Sequence, residues 1–356
     1  MYILQKSKIV TYIYQSKNMN QKKYTSIISI GLCLSFLLCR FDGLEYIGIA
    51  FLFPLFLEEM KKIKKAFYAL LCVFTYWIVP EMPQIWFWHL FLMLFFLSFS
   101  DNENLDKEII KWALVACYFW GGFNKLNPWF AAYEFPLLLP FLKENTNLAY
   151  GVGLFEMSIG LAIIFSKTRT FALYLSLFFH TCIIFHLLKT AWNSVVLPWN
   201  ICLPLLLFFL QKEKNKEQLD FKNPYATILN CSVILVFLIL PFLQFFNQNF
   251  YPIAFNMYAG DEVELTIFFD KKDKKNLVSP SFQHLIVEND SICSLSYEAY
   301  SMAKYNVPPL SSTNHLKKIG ESFLQNAQYK TSFYYEILEV KRYDSSLETF
   351  VKKVKN

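Results

Sequence analysis

Long apolar runs follow one another through the first 246 residues, and they constrain the fold more than any other feature of the sequence. Nine runs approach or exceed the length that a helix needs to cross about 30 Å of hydrocarbon. They lie at 26–41, 43–57, 64–80, 83–100, 108–126, 147–165, 170–188, 192–211 and 226–246. Because the second run is short enough to lie partly in the interface, the sequence predicts an all-α polytopic membrane bundle with eight to nine transmembrane helices.

The composition excludes several other classes of protein. The chain has 356 residues, of which 55% are hydrophobic, with 38 Phe and 21 Tyr, and this is too apolar for a soluble globule of that length. The net charge of +6 comes from lysines that flank the apolar runs, which indicates contact with membrane lipid. No basic stripe is interleaved with stacking aromatics, so a nucleic-acid partner is not expected. The cysteines show no CxxC spacing, and no metal is predicted.

The charges flanking the runs also predict three parts and an orientation. Lys and Arg crowd the loops on the side of the N-terminus, which the positive-inside rule places in the cytoplasm. We therefore expect a cytoplasmic tail at 1–25, a transmembrane bundle at 26–248 and a small extracytoplasmic α+β domain at 249–356. The predicted location is a bacterial cytoplasmic (inner) membrane. In the last part, strands are predicted at 262–269, 282–287 and 334–340, and a helix is predicted at 315–325.

One segment between the fifth and sixth runs is unlike the others. Residues 128–142 are apolar and aromatic, but three prolines interrupt them. Since proline removes a backbone donor and breaks a helix, this segment is not expected to cross the bilayer. A re-entrant or a surface-lying segment fits the pattern better.

A lone lysine, Lys125, ends the fifth run after a pair of glycines, and it has two interpretations. In the first, which spacing alone favours, its stem lies in hydrocarbon and its ammonium reaches the headgroups. In the second, it faces a pocket between helices, where loss of solvent favours the neutral amine and makes the lysine a candidate base.

Three further ionisable side chains lie at membrane depth, where they are costly and indicate function. Glu156 and His180 lie about equally far from the outer ends of consecutive spans, so they are predicted to meet if their faces agree. The alternative is a structural carboxyl and a satisfied core histidine. Gly153 and Gly160 flank Glu156 and predict close approach of a neighbouring backbone. His89 lies in the outer half of the fourth run, and the four residues are predicted to converge on one cavity.

Aromatic and amide side chains near these residues are candidates for holding a flat apolar ring. Trp88 neighbours His89, Trp120 precedes Lys125, and Asn200 lies in the eighth run beside Pro198. A cavity lined by aromatics with few polar groups is typical of sites for small apolar ligands. The same residues are also common in an ordinary membrane core.

The motif Tyr118-Phe-x-x-Gly122-x-x-Lys125-Leu126 resembles the membrane signature of the vitamin K-dependent gamma-carboxylases and their wider family, the HTTM proteins. The turn ending in Tyr258-Ala-Gly260 is similar to one that follows the last span in that family. The resemblance implies that Lys125 is a base for a reduced quinone, of menaquinone or vitamin K type, and that His89 assists it. Phe87 and Trp88 stand where asparagines would be expected.

The sequence and the resemblance predict two alternative functions, and a third, a transporter, has less support. The first is a quinol-dependent oxidase, epoxidase or carboxylase-like enzyme, with Lys125, His89, Glu156 and His180 as catalytic residues. The second is a non-catalytic membrane factor for maturation of, or binding to, a secreted peptide or protein. A transporter would be expected to show matching interrupted spans in two halves, and we find no such pair.

Overall fold

Seven long helices form one bundle in the part of the chain that this computed structural model describes. The described residues are 23–39, 47, 49–52, 67, 84–100, 102–190, 193–212, 223–246, 254–255, 263–274, 278–309, 313–326, 334–340 and 347–353. Three predicted segments lie outside these residues, apart from isolated positions and the start of the first helix. They are the runs at 43–57 and 64–80 and the tail at 1–25.

The helices of the bundle follow the predicted order. They are α1 (Lys23–Leu38), α2 (Ile85–Phe99), α3 (Glu103–Asn124), α4 (Asn147–Ile164), α5 (Arg169–Thr190), α6 (Leu197–Lys212) and α7 (Pro224–Ile234). A 3-10 turn, Ser194–Val196, leads into α6. A π-helical segment, Leu235–Ile239, and a 3-10 segment, Leu240–Phe245, continue α7.

Four of these helices, counted with their continuations, are long and apolar enough to cross a membrane. They are Asn147–Ile164, Arg169–Thr190, Ser194–Lys212 and Pro224–Phe245. Helix α1 and helix α2 are apolar but shorter. Helix α3 has the length, but its first three turns carry Glu103, Asp106, Lys107, Glu108 and Lys111. The described chain is therefore a mostly helical membrane protein.

Helix α3 lies at the centre of the bundle, and its closest neighbour is α4. A Cβ added at Gly122 would lie 2.6 Å from the backbone nitrogen of Met157, and one added at Gly160 would lie 3.0 Å from the carbonyl oxygen of Val115. The absence of side chains at these glycines lets the two backbones touch. This confirms the predicted close approach at Gly153 and Gly160.

The 128–142 segment forms one short irregular helix, at 128–138, and a separate turn after it. The helix contains a π-helical stretch at Phe130–Glu134 and an α-helical stretch at Phe135–Leu138, and Leu139 separates it from a 3-10 turn at Pro140–Leu142. One side packs into the protein through Phe130 and Phe135, which share an apolar cluster with Ala149 of α4. The other side exposes Tyr133, Leu137 and Phe141. The segment therefore has one side buried against the protein and one apolar side turned outward, and both the re-entrant and the surface-lying alternatives stay open.

The C-terminal part is an α+β domain, as predicted. Its antiparallel sheet has the order β2-β3-β1-β4-β5, with β1 (Val263–Asp270), β2 (Ile286–Asn289), β3 (Ile292–Ser296), β4 (Tyr334–Val340) and β5 (Leu347–Lys353). Helices α8 (Tyr297–Tyr305) and α9 (Thr313–Asn326) pack on it. The predicted strand at 282–287 was wrong for most of its length, since Pro280–Leu285 is a 3-10 helix; Pro280 fits the start of a helix because its missing N–H is not needed there.

An ion cluster joins β2 to the turn after β1 on the surface of this domain. The Glu288 carboxylate lies 2.6 Å from Lys271 Nζ and 2.6 Å from Lys274 Nζ. Hydrogen bonds from these two ammonium groups lower the pKa of Glu288 to about 2. The carboxylate therefore stays charged throughout the physiological pH range.

The loop after α8 attaches this domain to one end of the bundle. Asn306 has a left-handed backbone, with φ 59°, and its side-chain amide donates to Leu38 O at 3.0 Å and to Ser194 Oγ at 2.8 Å. Gln84 donates to Pro308 O at 2.8 Å. Val307 is buried within the apolar core of the bundle. The domain therefore contacts the end at which α1 finishes and α2 begins.

We expect Asn306→Ala to loosen this attachment without unfolding either part. The substitution removes both side-chain hydrogen bonds to the bundle, and each is worth about 0.5–1.5 kcal/mol. Hydrogen exchange should rise at residues 306 and 307 and at the start of α2, while the sheet strands keep their protection. Asn289→Ala, on the far edge strand β2, is the control. Unchanged exchange at both places would show that these bonds do not hold the domain.

Candidate functional site

Lys125 follows the last residue of α3, and its side chain turns back into the bundle. Its ammonium donates to Gly121 O at 2.9 Å, one turn earlier in the helix. Side chains on a helix point toward its N-terminus, so this lysine reaches down to the level of Gly121. The residue is 9% exposed. The structure thus contradicts the interpretation in which Lys125 extends to the headgroups.

Glu156, on the neighbouring helix α4, is the ionic partner of Lys125. The ammonium nitrogen and Glu156 Oε2 are 2.8 Å apart, and Glu156 is 7% exposed. A Cβ added at Gly121 would lie 2.5 Å from Glu156 Oε1, so the carboxylate lies directly against the backbone of α3. Gly121 therefore makes room for this carboxylate.

A second buried polar cluster joins α3, α5 and α6. The Tyr118 hydroxyl lies 2.7 Å from His180 Nε2 and 2.7 Å from Ser176 Oγ. His180 Nδ1 lies 2.8 Å from Asn200 Oδ1. All four residues are buried. We call Tyr118, His180, Asn200 and Ser176 the tyrosine cluster.

The hydrogen bonds of Asn200 determine the protonation pattern of this cluster. Its side-chain N–H donates to Val196 O at 2.9 Å, which leaves the amide oxygen facing His180 Nδ1. Nδ1 must therefore carry the imidazole proton, and Nε2 is left as an acceptor. It follows that Tyr118 O–H donates to His180 and that Ser176 O–H donates to the Tyr118 oxygen.

The ion pair and the tyrosine cluster lie on one side of α3. Tyr118 and Lys125 are seven residues, or about two turns, apart, which brings them to the same side of a helix. The structure does not pair Glu156 with His180, as the sequence predicted they would if their faces agreed, because Glu156 pairs with Lys125 and both ring nitrogens of His180 have other partners.

His89 belongs to a separate place in the bundle. Trp199 Nε1 donates to His89 Nδ1 at 3.0 Å, and His89 Nε2 lies 3.1 Å from Ala113 O. Because an indole N–H can only donate, Nδ1 is the acceptor and Nε2 carries the proton. Phe237 and Phe255 enclose the ring. The histidine is neutral and both nitrogens are occupied, so the structure does not bring His89 together with the ion pair.

The two candidate tryptophans pack among aromatic rings. Trp88 packs against Phe87 and Phe91. Trp120 donates its indole N–H to Leu238 O at 3.2 Å, in the π-helical segment after α7. Its ring packs beside Phe242 and Phe245. Trp120 therefore holds the irregular end of α7 against α3, and its role in ligand binding remains a prediction.

The sequence pattern included Tyr118 only as part of the motif around Lys125. It did not single out Ser176, Asn124 or Gln244 as site residues. Asn124 donates to Ala254 O at 2.7 Å and accepts from Gln244 at 3.0 Å. These bonds fasten the end of α3 to the segment that leads into the C-terminal domain. Buried amides in an otherwise apolar run were the available signal, since a polar group at such a position needs a partner.

No protein-family model, curated protein or solved structure matches the chain. Within the described residues, no group of three or more His, Cys, Asp or Glu side chains could hold a metal ion. The chemistry of the site therefore has to be argued from the ion pair and the tyrosine cluster themselves.

Proposed function

We propose that the chain is an HTTM-like integral membrane enzyme in which Lys125 and Glu156 exchange a proton with a reduced quinone. The observation that carries this proposal is the inward-turned ion pair, with 2.8 Å between Lys125 Nζ and Glu156 Oε2. A buried ion pair costs desolvation energy and gives little net stability. Its presence between two membrane helices therefore favours a functional role.

The two side chains can share one proton in two ways. In the first, an ammonium faces a carboxylate. In the second, the proton lies on Glu156 and Lys125 is a neutral amine, with the same number of protons overall. Loss of water destabilises the charged arrangement relative to the neutral one, so the neutral arrangement becomes accessible from the resting ion pair. Lys125 can then accept a proton from a weakly acidic hydroxyl, as a general base does.

The surroundings of the pair fit a flat, weakly acidic ligand. Phe155 adjoins Glu156 in α4 and packs against Phe178 and Phe179 of α5. These rings belong to the interface between α4 and α5, on the helix that carries Glu156, and an aromatic setting for a flat ligand there is part of the proposal. A reduced quinone would supply an acidic phenolic proton and, by the resemblance to HTTM proteins, a reaction with oxygen that yields a strong base. Lys125 would accept the proton, and Glu156 would hold the lysine in position.

We also propose eight to nine spans, with the N-terminus inside a bacterial cytoplasmic membrane and the C-terminal domain outside. Lys23, Lys167, Arg169 and Lys212 lie at helix ends on one side of the bundle. The attached C-terminal domain and Lys125 lie at the other. This distribution of charge supports the proposed orientation.

Lys125→Arg is the variant that tests the base directly. A guanidinium keeps the positive charge and the ion pair but cannot release its proton at physiological pH. We expect the oxidation of menadiol, a reduced naphthoquinone, by the purified protein in nanodiscs to fall by about 100-fold or more. Quinone formation is followed by absorbance in air-saturated buffer.

Lys143→Arg is the matched control, since Lys143 lies near the same end of the bundle with a largely exposed side chain. It should leave the rate unchanged. A Lys125→Arg protein that oxidises menadiol as fast as the wild type would exclude Lys125 as the base. A wild-type protein without activity above buffer would exclude quinol oxidation.

The second candidate function is a membrane factor that binds a secreted peptide through the C-terminal domain. The observation that favours it is the edge strand β2, whose Val287, Glu288 and Asn289 are exposed. An exposed strand edge can pair with an extended peptide. Binding of a peptide by the wild type and by Lys125→Arg with equal affinity, without menadiol oxidation by either, would support this alternative.

A further inference from the structure

The Lys125–Glu156 pair leaves one hydrogen-bonding position unused on each partner. An ammonium carries three N–H donors, and Lys125 directs two of them to Gly121 O and to Glu156 Oε2. Its third donor has no acceptor among the residues that the structure describes. Within the same residues, Glu156 Oε1 receives no hydrogen bond, since the lysine occupies only Oε2. The pair therefore has one free donor beside one free acceptor.

The free oxygen of Glu156 is not enclosed by the bundle. The fully buried polar atoms that lack a partner in the described part of the chain do not include Oε1, so this oxygen keeps accessible surface. The side chain of Glu156 is 9% exposed and that of Lys125 is 11% exposed. A small polar group of a ligand can therefore contact the pair without displacing either partner.

We propose that the Lys125–Glu156 pair binds one hydroxyl group of an aromatic ligand, in preference to an ether or a carbonyl oxygen. In the complex, the ligand O–H donates to Glu156 Oε1 and the ligand oxygen accepts from Lys125 Nζ. This inference rests on the proposed function for the aromatic nature of the ligand. It deepens that function, because it gives Glu156 a direct contact with the ligand in addition to its contact with the lysine.

A single ligand oxygen can make both hydrogen bonds. Oε1 and Oε2 belong to the same carboxylate, and Oε2 lies 2.8 Å from Lys125 Nζ. The free acceptor and the free donor are therefore neighbours, and one oxygen can lie at about 2.7–3.2 Å from both. Each bond involves a charged group, and such bonds are about twice as strong as those between neutral groups. A hydroxyl fits because it offers a donor and an acceptor on one atom.

The match to a hydroxyl does not depend on where the shared proton lies. With an ammonium and a carboxylate, Lys125 Nζ donates and Glu156 Oε1 accepts. With an amine and a carboxylic acid, a proton on Oε1 donates and the lone pair of the amine accepts. A hydroxyl can reverse its direction and fits both arrangements. In the second arrangement its proton faces Lys125, which is the geometry that a general base requires.

A carbonyl oxygen satisfies only half of this site. It accepts from the donor of the pair, but it carries no proton for the acceptor, which is then left without water and without a partner. A reduced quinone has hydroxyls where the oxidised form has carbonyls. The pair therefore holds the reduced form more tightly and releases the oxidised form.

The test compares 1-naphthol with 1-methoxynaphthalene, which share one ring system. The ether can accept a hydrogen bond but cannot donate one. Binding of each compound to the purified wild-type protein in nanodiscs is measured by titration calorimetry, and the heat of partition into empty nanodiscs is subtracted. We expect the wild type to bind 1-naphthol at least about tenfold more tightly, because the ether leaves one partner of the pair without a hydrogen bond.

The double variant Lys125→Met with Glu156→Leu removes both hydrogen-bonding positions and should lose this preference. Lys143→Met with Glu144→Leu is the matched control, since it places the same two substitutions in an exposed pair, and it should keep the preference. Replacing both partners of an ion pair by apolar side chains is often neutral for stability. Thermal unfolding of both variants checks that they are folded.

Two results would overturn the hydroxyl site. One is a wild type that binds the two compounds equally, prefers the ether, or binds neither above empty nanodiscs, and this result needs no variant. The other is a folded Lys125→Met, Glu156→Leu protein that retains the preference. Menadiol oxidation judges the proposed function separately. Preference without oxidation supports the hydroxyl site and excludes quinol oxidation, whereas oxidation without preference excludes the hydroxyl site alone.

Discussion

Glu156→Leu should lower the free energy of unfolding by about 3–5 kcal/mol, because it leaves the Lys125 ammonium buried without its counter-ion. Only the Gly121 carbonyl would remain as a hydrogen-bond acceptor among the contacts that the lysine now makes. The measurement is thermal or denaturant unfolding of the purified protein in detergent. Glu144→Leu is the control, since Glu144 and Lys143 form an exposed pair 3.9 Å apart that is worth at most about 1 kcal/mol.

The double variant Lys125→Met with Glu156→Leu should recover most of that loss. Replacing both ends of a buried ion pair by apolar side chains of similar volume is often neutral or stabilising. A stable double variant without menadiol oxidation would show that the pair is kept for chemistry. A Glu156→Leu protein as stable as the wild type would instead show that Lys125 is neutral or that water reaches it, and the ionic description of the pair would be wrong.

Gly122→Ala should disrupt the contact between α3 and α4. The added Cβ would lie 2.6 Å from Met157 N and 2.8 Å from Met157 Cγ, and the Gly153 carbonyl oxygen is closer still. Backbone atoms cannot rotate away as a flexible side chain can, so the two helices must separate. Overpacking of this kind costs about 1–3 kcal/mol or more, and the separation should also weaken the Lys125–Glu156 pair.

Gly151→Ala is a matched control in α4, because a Cβ there meets no atom within 4 Å. Alanine is a better helix former than glycine by about 1 kcal/mol, so this variant should be as stable as the wild type or slightly more so. Both variants are compared by unfolding and by menadiol oxidation. Equal stability of Gly122→Ala and Gly151→Ala would mean that α3 and α4 do not pack as closely as described.

A hydrogen bond and a ring contact connect the site's end of the bundle to the segment that leads into the C-terminal domain. Asn124 adjoins Lys125 and donates to Ala254 O, in the segment leading to the sheet. Phe255 of that segment, which has a φ of 55°, packs its ring 5.0 Å from that of His89. Asn124 and His89 are thus connected to the segment that leads into the C-terminal domain.

Residue spacing predicted the helices better than it predicted their side-chain partners. The apolar runs 147–165 and 170–188 became α4 and α5 nearly in full, because a span is defined by its own length and hydrophobicity. The glycines around Glu156 also predicted a close helix contact. The strand predicted at 282–287 was mostly wrong, because a short apolar stretch after a proline is compatible with a helical turn as well as with a strand.

The sequence by itself determined that the chain is a largely helical membrane protein with a small α+β part, because hydrophobic length and alternation are local properties. It also indicated that Lys125, Glu156, His180 and Asn200 needed partners, since polar groups in apolar runs are costly when unpaired. Only the tertiary structure decided which partners they have. Pairing depends on which faces of separate helices meet: that geometry turned Lys125 inward to Glu156, gave His180 to Tyr118 and Asn200, and left His89 with Trp199.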